Sequence, residues 1–311
     1  MIDGRLTMLG MIARHGTVTA AAEALHYSPS TVSQQVKQLA QELGVQLLEH
    51  RGRYVRLTPA AEILLSHVEV MAAEWEQARA DLDAYVDSTS GTLTLCGFST
   101  AASVLLPKAM QAMNQEFPHL ATRTIEAEPS RCYDLVLAGD ADLGVIVVTS
   151  STPPRSQGRF SQHFLIDDPL DLMVPQGHPL AARGSASLAD AAAEKWIVGR
   201  PGSTYHQLVM ASCASAGFTP EVAHYSDEWE TGTALVSAGF GVCVVSRLSR
   251  WSDLHPVVRI PLTGEHTPSR RIAAVTRTGA DNRRTIRYAL NALSAEAQRL
   301  MVELESGIRT Q

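Results

Sequence analysis

The chain has 311 residues, of which 45% are apolar and 19% are charged, and this balance is typical of a folded protein rather than a disordered one. No run approaches the ~18 consecutive apolar residues of a membrane helix, and no basic segment leads into an apolar core at the start, so we expect a cytoplasmic protein without a membrane partner. The net charge of −6 is uneven, because residues 1–60 carry six Lys or Arg against four acids, which favours a polyanionic partner there.

Three helices joined by short turns are predicted at the N-terminus. The first covers residues 4–14 and closes at Gly16, where glycine suits a left-handed cap. Thr17 caps a second, alanine-rich helix, and Ser28 followed by Pro29 starts the third, because proline suits the first helical position. The short turn between the second and third helices is typical of a helix-turn-helix.

The third helix has an apolar side and a polar side. The apolar residues fall at i, i+4, i+7 and i+11, namely Val32, Val36, Leu39 and Leu43. The polar side begins with hydroxyl and amide groups, which can hydrogen bond to base edges in the major groove. We expect DNA contacts from this side and from the preceding turn, at Ser28, Pro29, Ser30, Thr31, Ser33, Gln34 and Lys37. A helical hairpin with a solvated polar face is the alternative that this stretch leaves open.

A basic hairpin is predicted over residues 51–57, with Gly52 in the turn. Arg51, Arg53 and Arg56 flank the turn, so a wing at this place would put guanidinium groups on the sugar-phosphate backbone or in the minor groove. A solvated basic turn is the alternative. The position directly after a helix-turn-helix favours the wing.

The spacing of apolar, glycine and hydroxyl residues over residues 1–65 resembles the winged helix-turn-helix of the LysR-type transcriptional regulators. The matching positions are Leu6, Leu9, Ile12, Gly16-Thr17, Ala21-Ala22, Leu25, Ser28, Ser33, Gln35, Leu39, Leu43-Gly44, Leu47 and Leu57-Thr58. The chain departs from the family pattern at Pro29-Ser30, Ala40, Leu48, His50 and Ala61, so contacts at Pro29, Ser30 and His50 cannot be copied from relatives. The resemblance implies binding to double-stranded DNA, and we expect contact with RNA polymerase.

A long helix is predicted over residues 59–86, after a cap at Thr58. Its apolar residues alternate in steps of four and three, as in a coiled-coil seam, at Leu64, Val68, Met71, Trp75, Ala78, Leu82 and Tyr85. The charged residues between them, among them Glu69, Glu76 and Asp83, are expected to form a solvated outer face. We expect self-association as a homodimer or homotetramer, since a helix-turn-helix dimer binds two half-sites of a near-palindrome. Packing of the helix on its own domain is the alternative.

From residue 92 onward, strands alternate with helices, which indicates an α/β domain. The expected strands are residues 92–97, 121–127, 142–148, 160–166, 170–174, 196–198, 222–225, 242–245 and 271–276. The expected helices are residues 101–117, 130–138 and 282–305, with two more beginning near Ser203 and Glu230.

This second part resembles the effector-binding domain of the same family, a two-lobed α/β domain of the type 2 periplasmic-binding-protein fold. The family-like segments are residues 106–107, 117–118, 141–144, 169–170, 178–180 and 236–242. The predicted fold class is therefore α+β, with a winged helix-turn-helix at residues 1–65, a dimerising linker helix and hinge at 58–90, and the effector domain at 91–311. By the resemblance, lobe 1 covers about 91–167 and 267–311, and lobe 2 covers about 168–266.

A small ligand is expected between the lobes, because ligands bind at the carboxyl ends of strands in open α/β sheets. Ser99 and Thr100 follow the first strand and open a helix, so they can hold an anionic group or simply cap that helix. The other expected wall residues are Glu128, Val148, Arg200, Ser203, Thr204, Glu230 and Thr231. We expect a carboxylated metabolite or an amino acid as the effector.

The sequence contains no pattern of a catalytic centre. The segment Gly239-Phe240-Gly241 follows a predicted helix rather than a strand, which does not fit a dinucleotide loop, and no metal spacing or nucleophile motif is present. We therefore expect no enzyme activity, no cofactor and no metal. Four widely spaced cysteines, Cys96, Cys132, Cys213 and Cys243, are expected to be reduced, partly buried thiols. A solute-binding protein and a ligand-independent architectural DNA-binding protein remain as alternatives.

Overall fold

The computed structural model describes residues 3–52, 54–86, 90–149, 152, 158–265 and 267–305. The α-helices are α1 (Gly4–His15), α2 (Val18–Ala24), α3 (Pro29–Leu43), α4 (Pro59–Val86), α5 (Leu106–Glu116), α6 (Pro129–Ala138), α7 (Thr204–Ser215), α8 (Trp229–Ser237) and α9 (Arg284–Glu305). The strands are β1 (Leu48–Arg51), β2 (Tyr54–Leu57), β3 (Gly91–Gly97), β4 (Leu120–Glu126), β5 (Leu143–Val148), β6 (Phe160–Pro175), β7 (Lys195–Val198), β8 (Glu221–Tyr225), β9 (Cys243–Ser246), β10 (Val257–Ile260) and β11 (Ser269–Arg277). No helix within these ranges is both long and apolar enough to cross a membrane.

Helices α1 to α3 and the β1–β2 hairpin surround a small apolar core. The predicted caps are confirmed, since the Thr17 hydroxyl accepts from the Ala20 N–H and the Ser28 hydroxyl accepts from the Thr31 N–H, both at 3.1 Å. The hydroxyl of Thr58 donates to the Gln46 carbonyl at 2.6 Å and caps α4. The long helix therefore starts at a fixed place against the hairpin.

The second part of the chain contains two lobes that share strand β6. In lobe 1, β3 lies parallel between β4 and β5, and β11 pairs antiparallel with β5 and with the first half of β6. In lobe 2, the second half of β6 pairs with β9 and β10, and β7 pairs parallel with β8. The last predicted strand, residues 271–276, corresponds to β11 and lies in lobe 1, as the resemblance implied.

The prediction of two separate strands at 160–166 and 170–174 is wrong, because β6 runs without a break through both lobes. The strand does not turn at Asp167 and Asp168, which lie between those segments. Asp168 is instead fully buried, and it accepts hydrogen bonds from the Arg270 guanidinium and from the Ser246 hydroxyl, both at 2.6 Å. These partners satisfy the carboxylate inside the protein, so the strand continues.

Other boundaries also differ from the predictions. Residues 101–105 form a π-helical turn rather than the start of a continuous helix, because Pro107 has no N–H for the regular ladder. Strand β10 was not predicted, and α9 begins at Arg284 after a short 3-10 turn.

One side of α4 packs on lobe 1 through three ion pairs spaced seven residues apart, here called the ion-pair stripe. Glu69 lies 2.6 Å from Arg159, Glu76 lies 2.7 Å from Arg277, and Asp83 lies 2.8 Å from Arg283. The expectation that these three acids form a solvated outer face is therefore wrong. A period of seven keeps them on one side of the helix, which is the side facing the arginines.

Candidate nucleic-acid interface and effector cleft

The polar side of α3 faces outward. Val32, Val36 and Leu39 are at most 5% exposed and hold the helix on the domain core. The side chains on the opposite side are exposed at Ser28, Pro29, Ser30, Ser33, Gln34 and Lys37, with Thr31 half-buried. Leu43 departs from the predicted apolar stripe and is exposed, because it is the last residue before the left-handed cap at Gly44.

Hydrogen bonds fix the first turn of α3. The Ser28 hydroxyl accepts from the Thr31 N–H and lies 2.8 Å from the hydroxyls of both Ser30 and Thr31. Pro29 occupies the first helical position and contributes no N–H. The positive end of the helix dipole therefore points outward beside three hydroxyl groups, an arrangement that suits a phosphate.

The wing is a two-stranded antiparallel hairpin, as predicted. Glu49 is the register partner of Arg56, and Arg51 is that of Tyr54. The side chains of Arg56 and Tyr54 are exposed. Arg53 lies outside the described residues, and so does the side chain of Arg51.

Two arginines of the basic N-terminal segment are held in ion pairs with acids of the same chain. Arg5 lies 2.6 Å from Asp3 and 2.7 Å from Glu42, and Arg14 lies 2.7 Å from Asp134 of α6. The sequence count of positive charge therefore overstates the charge available to a duplex. Among the described side chains of this segment, the outward-facing positive charge comes from Lys37 and Arg56.

The cleft between the lobes lies at the carboxyl ends of the parallel strands. Thr100 follows β3, is 2% exposed, and accepts a hydrogen bond from the Trp229 indole N–H of lobe 2 at 3.3 Å. Its hydroxyl is 3.4 Å from that of Ser249. Ser99 and Val148 are half-buried on the same edge of lobe 1. The structure thus brings the lobe 1 candidates together, and Thr100 contacts Trp229 and Ser249 directly.

Glu128 is the lobe 1 residue that faces the start of α7. Although Glu128 keeps an exposed surface, partial desolvation raises the pKa of its carboxyl and the nearby Asp227 carboxylate raises it further, whereas interactions with the backbone N–H and hydroxyl of Thr204 and with Arg200 oppose the shift. Ser203 caps α7 by accepting from the His206 N–H at 3.1 Å. The expected wall residues Ser203 and Thr204 at the start of α7 therefore face a carboxylate of the protein's own opposite lobe.

Some predicted wall residues have partners within lobe 2. The Arg200 guanidinium binds Asp227; burial would raise the pKa of this carboxyl, but the hydrogen bonds from the Arg200 N–H and guanidinium outweigh burial and lower it. Glu230 lies 3.1 Å from His255 and accepts from the Ser252 N–H at 3.2 Å. Thr231 is exposed. These contacts draw Arg200 and Glu230 toward their own lobe.

Sequence reasoning missed the polar cluster where β6 and β11 pass between the lobes. Asp168, Arg270 and Ser246 are joined there, and the Arg270 guanidinium lies 4.9 Å from the centre of the Phe98 ring. Asp167 and Asp168 inside a strand-like stretch were the signal that could have indicated it. A buried charged pair joins the lobes at their crossing strands.

The linker helix keeps an apolar side in solvent. Met71 is 46% exposed, Trp75 42% and Leu82 60%, whereas Leu64 and Val68 are half-buried nearer the winged domain. Tyr85 and Val70 extend the exposed apolar surface. In the single chain, the predicted seam is thus the uncovered side of α4.

All four cysteines are free and buried, more completely than the sequence predicted. Burial raises the pKa of the Cys213 and Cys243 thiols to about 12. The pKa of Cys132 is also raised, first through its hydrogen bond with Cys96 and then through burial. None of these shifts favours the reactive thiolate.

Fold and site together define a two-part protein: a winged helix-turn-helix with an exposed polar helix side, followed by a two-lobed ligand-binding domain. Residues 4–62 match the family model described as the bacterial regulatory helix-turn-helix protein of the lysR family, and residues 87–298 match the LysR substrate binding domain. The chain therefore belongs to the LysR family of transcriptional regulators, and it has the effector-binding domain of that family.

Individual relatives agree with this assignment. The chain is 29% identical over 236 residues to the transcriptional dual regulator GltC of Bacillus subtilis, covering 75% of this chain and 77% of GltC. It is 27% identical over 294 residues to the transcriptional dual regulator OxyR of Escherichia coli strain K12, covering 93% and 94%. The solved structure of a Corynebacterium glutamicum OxyR C206 mutant has the same fold, with a TM-score of 0.63, 22% identity, and 99% and 95% coverage. These relatives are regulators rather than enzymes.

Proposed function

We propose that this protein is a cytoplasmic, ligand-responsive regulator that binds near-palindromic operator DNA as a dimer or dimer of dimers and senses a small carboxylated metabolite between its lobes. The observation that carries the DNA part is the division of α3 into a buried apolar side and an exposed polar side. A helical hairpin with no DNA role has no need for hydroxyl groups gathered at an outward-pointing helix start.

We assign different tasks to the two groups of DNA-facing residues. Ser30, Ser33 and Gln34 face outward from the first turns of α3, where side chains can reach base edges. Lys37 and the wing residue Arg56 are exposed cations that suit phosphate oxygens. Base contacts would set sequence preference, and phosphate contacts would set overall affinity.

The test compares binding of full-length variants to the preferred duplex and to random duplex across a salt series. Ser33→Ala and Gln34→Ala should each reduce the difference in binding free energy between the preferred duplex and random duplex by about 1–3 kcal/mol. Arg56→Ala should weaken both complexes alike and lower the salt slope by about one. Gln41→Ala is the matched control, because this exposed glutamine lies ~10 Å further along the same helix. Equal losses on both duplexes for all variants would contradict the assigned roles.

The proposed dimer uses the exposed apolar side of α4. Its opposite side is held on lobe 1 by the ion-pair stripe, so the apolar side is left for a second copy. A two-fold arrangement of these helices would present two winged domains to two half-sites.

The proposed effector is an organic anion rather than an oxidant. Some relatives are named hydrogen peroxide-inducible genes activators, but a thiol that reacts with peroxide needs a low pKa and solvent access. The four thiols here are buried, and the pKa is raised for Cys132, Cys213 and Cys243. The capped start of α7, together with Ser99 and Thr100, offers donors that suit a carboxylate.

We infer that the ligand changes the angle between the lobes, and that the linker helices convert this change into altered half-site spacing, DNA bend and RNA polymerase contact. The screen is a thermal-shift assay with amino acids and aromatic acids, each paired with its neutral amide. A carboxylate that stabilises the protein while its amide does not would support the proposal. Stabilisation by neutral compounds alone would reject an anionic effector.

A further inference from the structure

Helix α6 joins the effector cleft to the DNA-binding domain of the same chain. Its first residue, Pro129, follows Glu128, whose carboxylate faces Thr204 across the cleft. Arg131 lies three residues after Glu128, which corresponds to ~4.5 Å along the helix axis. Arg131 donates to the Ala24 carbonyl and, at 2.9 Å, to the His26 ring. Cleft wall and DNA-binding domain are therefore one helical turn apart.

One part of the contact on the DNA-binding domain is the turn between its second and third helices. Ala24 ends α2, and His26 has a left-handed backbone, with φ +57°, two residues before the Ser28 cap of α3. A non-glycine residue with this φ has a strained backbone unless the surrounding contacts hold it in place. The Arg131 guanidinium bonds to the end of α2 and to the turn itself, so it bears on the direction in which α3 leaves the turn.

The centre of the contact is a single carboxylate. Asp134 of α6 is 4% exposed, and its Oδ1 lies 2.7 Å from Arg14 and 3.1 Å from His15, both at the end of α1. Arg131 lies 3.9 Å from its other oxygen. Arg14 also donates to the Ser130 carbonyl at 3.1 Å. Removal of the Asp134 charge would leave the Arg14 and Arg131 guanidinium groups without this shared counter-charge.

Polar contacts between two parts of a chain resemble transient protein interfaces more than cores. The apolar share here is small, with Leu137 half-buried against the DNA-binding domain. The outward side of α3 remains exposed while the contact is made. The contact therefore leaves the DNA-facing surface free and constrains its orientation.

We propose that α6 is an intramolecular docking surface for the winged helix-turn-helix, centred on Asp134, and that a ligand seated against Glu128, the residue directly before α6, loosens this docking. The ligand step rests on the proposed function, whereas the docking itself does not. Docking fixes the angle of α3 relative to lobe 1 and so restricts the half-site spacings that a dimer tolerates.

The docking is tested without DNA or ligand, by hydrogen exchange of the full-length protein. Asp134→Asn and Arg131→Met should raise the exchange of amides at 20–28 by roughly tenfold, the factor expected from the loss of a charge-assisted hydrogen bond. Asp140→Asn, an exposed carboxylate at the end of the same segment, is the matched control. The exchanged pair Arg14→Asp with Asp134→Arg should restore protection, which separates lost docking from failed folding. Unchanged exchange in both single variants, or no restoration in the exchanged pair, would overturn the docking surface.

The link to the cleft is tested in the same way. Glu128→Ala should raise exchange at 20–28, whereas Glu126→Ala, an exposed glutamate two residues earlier on β4, should not. An effect confined to the cleft would reject the link while leaving the docking in place. DNA of varied half-site spacing gives a separate readout, in which Asp134→Asn should broaden the spacing optimum. If the parent protein shows no sequence-specific binding, the proposed function fails while the exchange results still decide the docking.

Discussion

Glu76 is the centre of the ion-pair stripe, and its replacement is the sharpest test of how α4 is held on lobe 1. The side chain is 3% exposed, and its Oε1 is 2.7 Å from Arg277 Nε. Breaking a buried ion pair from one side costs about 3–5 kcal/mol. Arg277 keeps the carbonyls of Val136 and Ala141, both at 2.9 Å, so we expect Glu76→Ala to cost about 3 kcal/mol, at the low end of that range.

The assay is urea unfolding of the full-length protein, followed by circular dichroism and combined in a double-mutant cycle with Arg277→Met. Glu76→Gln keeps an oxygen for the guanidinium and should cost about 1–2 kcal/mol, because the hydrogen bond survives without the charge. Glu74→Ala is the matched control, since Glu74 is exposed two residues earlier, and should stay within about 0.5 kcal/mol of the parent. The reasoning is refuted if Glu76→Ala costs no more than Glu74→Ala, or if the coupling to Arg277 is near zero.

Three further predictions concern association, thiol chemistry and pH. Trp75→Asp should weaken the dimer by about 2 kcal/mol or more in sedimentation, whereas Trp75→Phe should not; an unchanged two-fold particle would reject the α4 seam. The four buried thiols should resist both a thiol-labelling reagent and dilute hydrogen peroxide until urea unfolds the protein, and rapid labelling of the native protein would count against an organic effector. Because burial raises the pKa of Glu128 above its ordinary 4.5, the folded state favours the neutral carboxyl, and this stability is present below 4.5 and lost as pH rises through the folded pKa. The melting temperature of Glu128→Gln minus that of the parent should therefore be larger at pH 7 than at pH 4. A difference that shrinks with rising pH would mean that the pKa of Glu128 is lowered rather than raised, and would contradict this prediction.

Local patterns predicted the winged helix-turn-helix and the linker helix nearly residue by residue. Thr17 and Ser28 cap their helices through bonds that reach only three residues along the chain, so short-range sequence carries the information. The start of α4 after Thr58 depends in the same way on a local cap, and its seam depends on a repeat within one helix.

For the candidate cleft, the sequence predicted which residues follow the ends of strands, but not which partners their side chains bind. The sequence placed Thr100 and Glu128 at the carboxyl ends of strands, and both do face lobe 2. It could not foresee that Arg200 turns to Asp227 or that Glu230 turns to His255, since each choice depends on a partner more than twenty residues away.

The amino-acid sequence by itself determined the family, the three capped helices, the wing and the apolar side of α4, because caps, turns and periodicities act within a few residues. The tertiary structure alone decided which charges are neutralised. Glu76 meets Arg277 across 201 positions, and Asp134 meets Arg14 across 120. A carboxylate on a helix has the same sequence appearance whether water or a distant guanidinium faces it, and only the packed chain shows which of the two lowers its free energy.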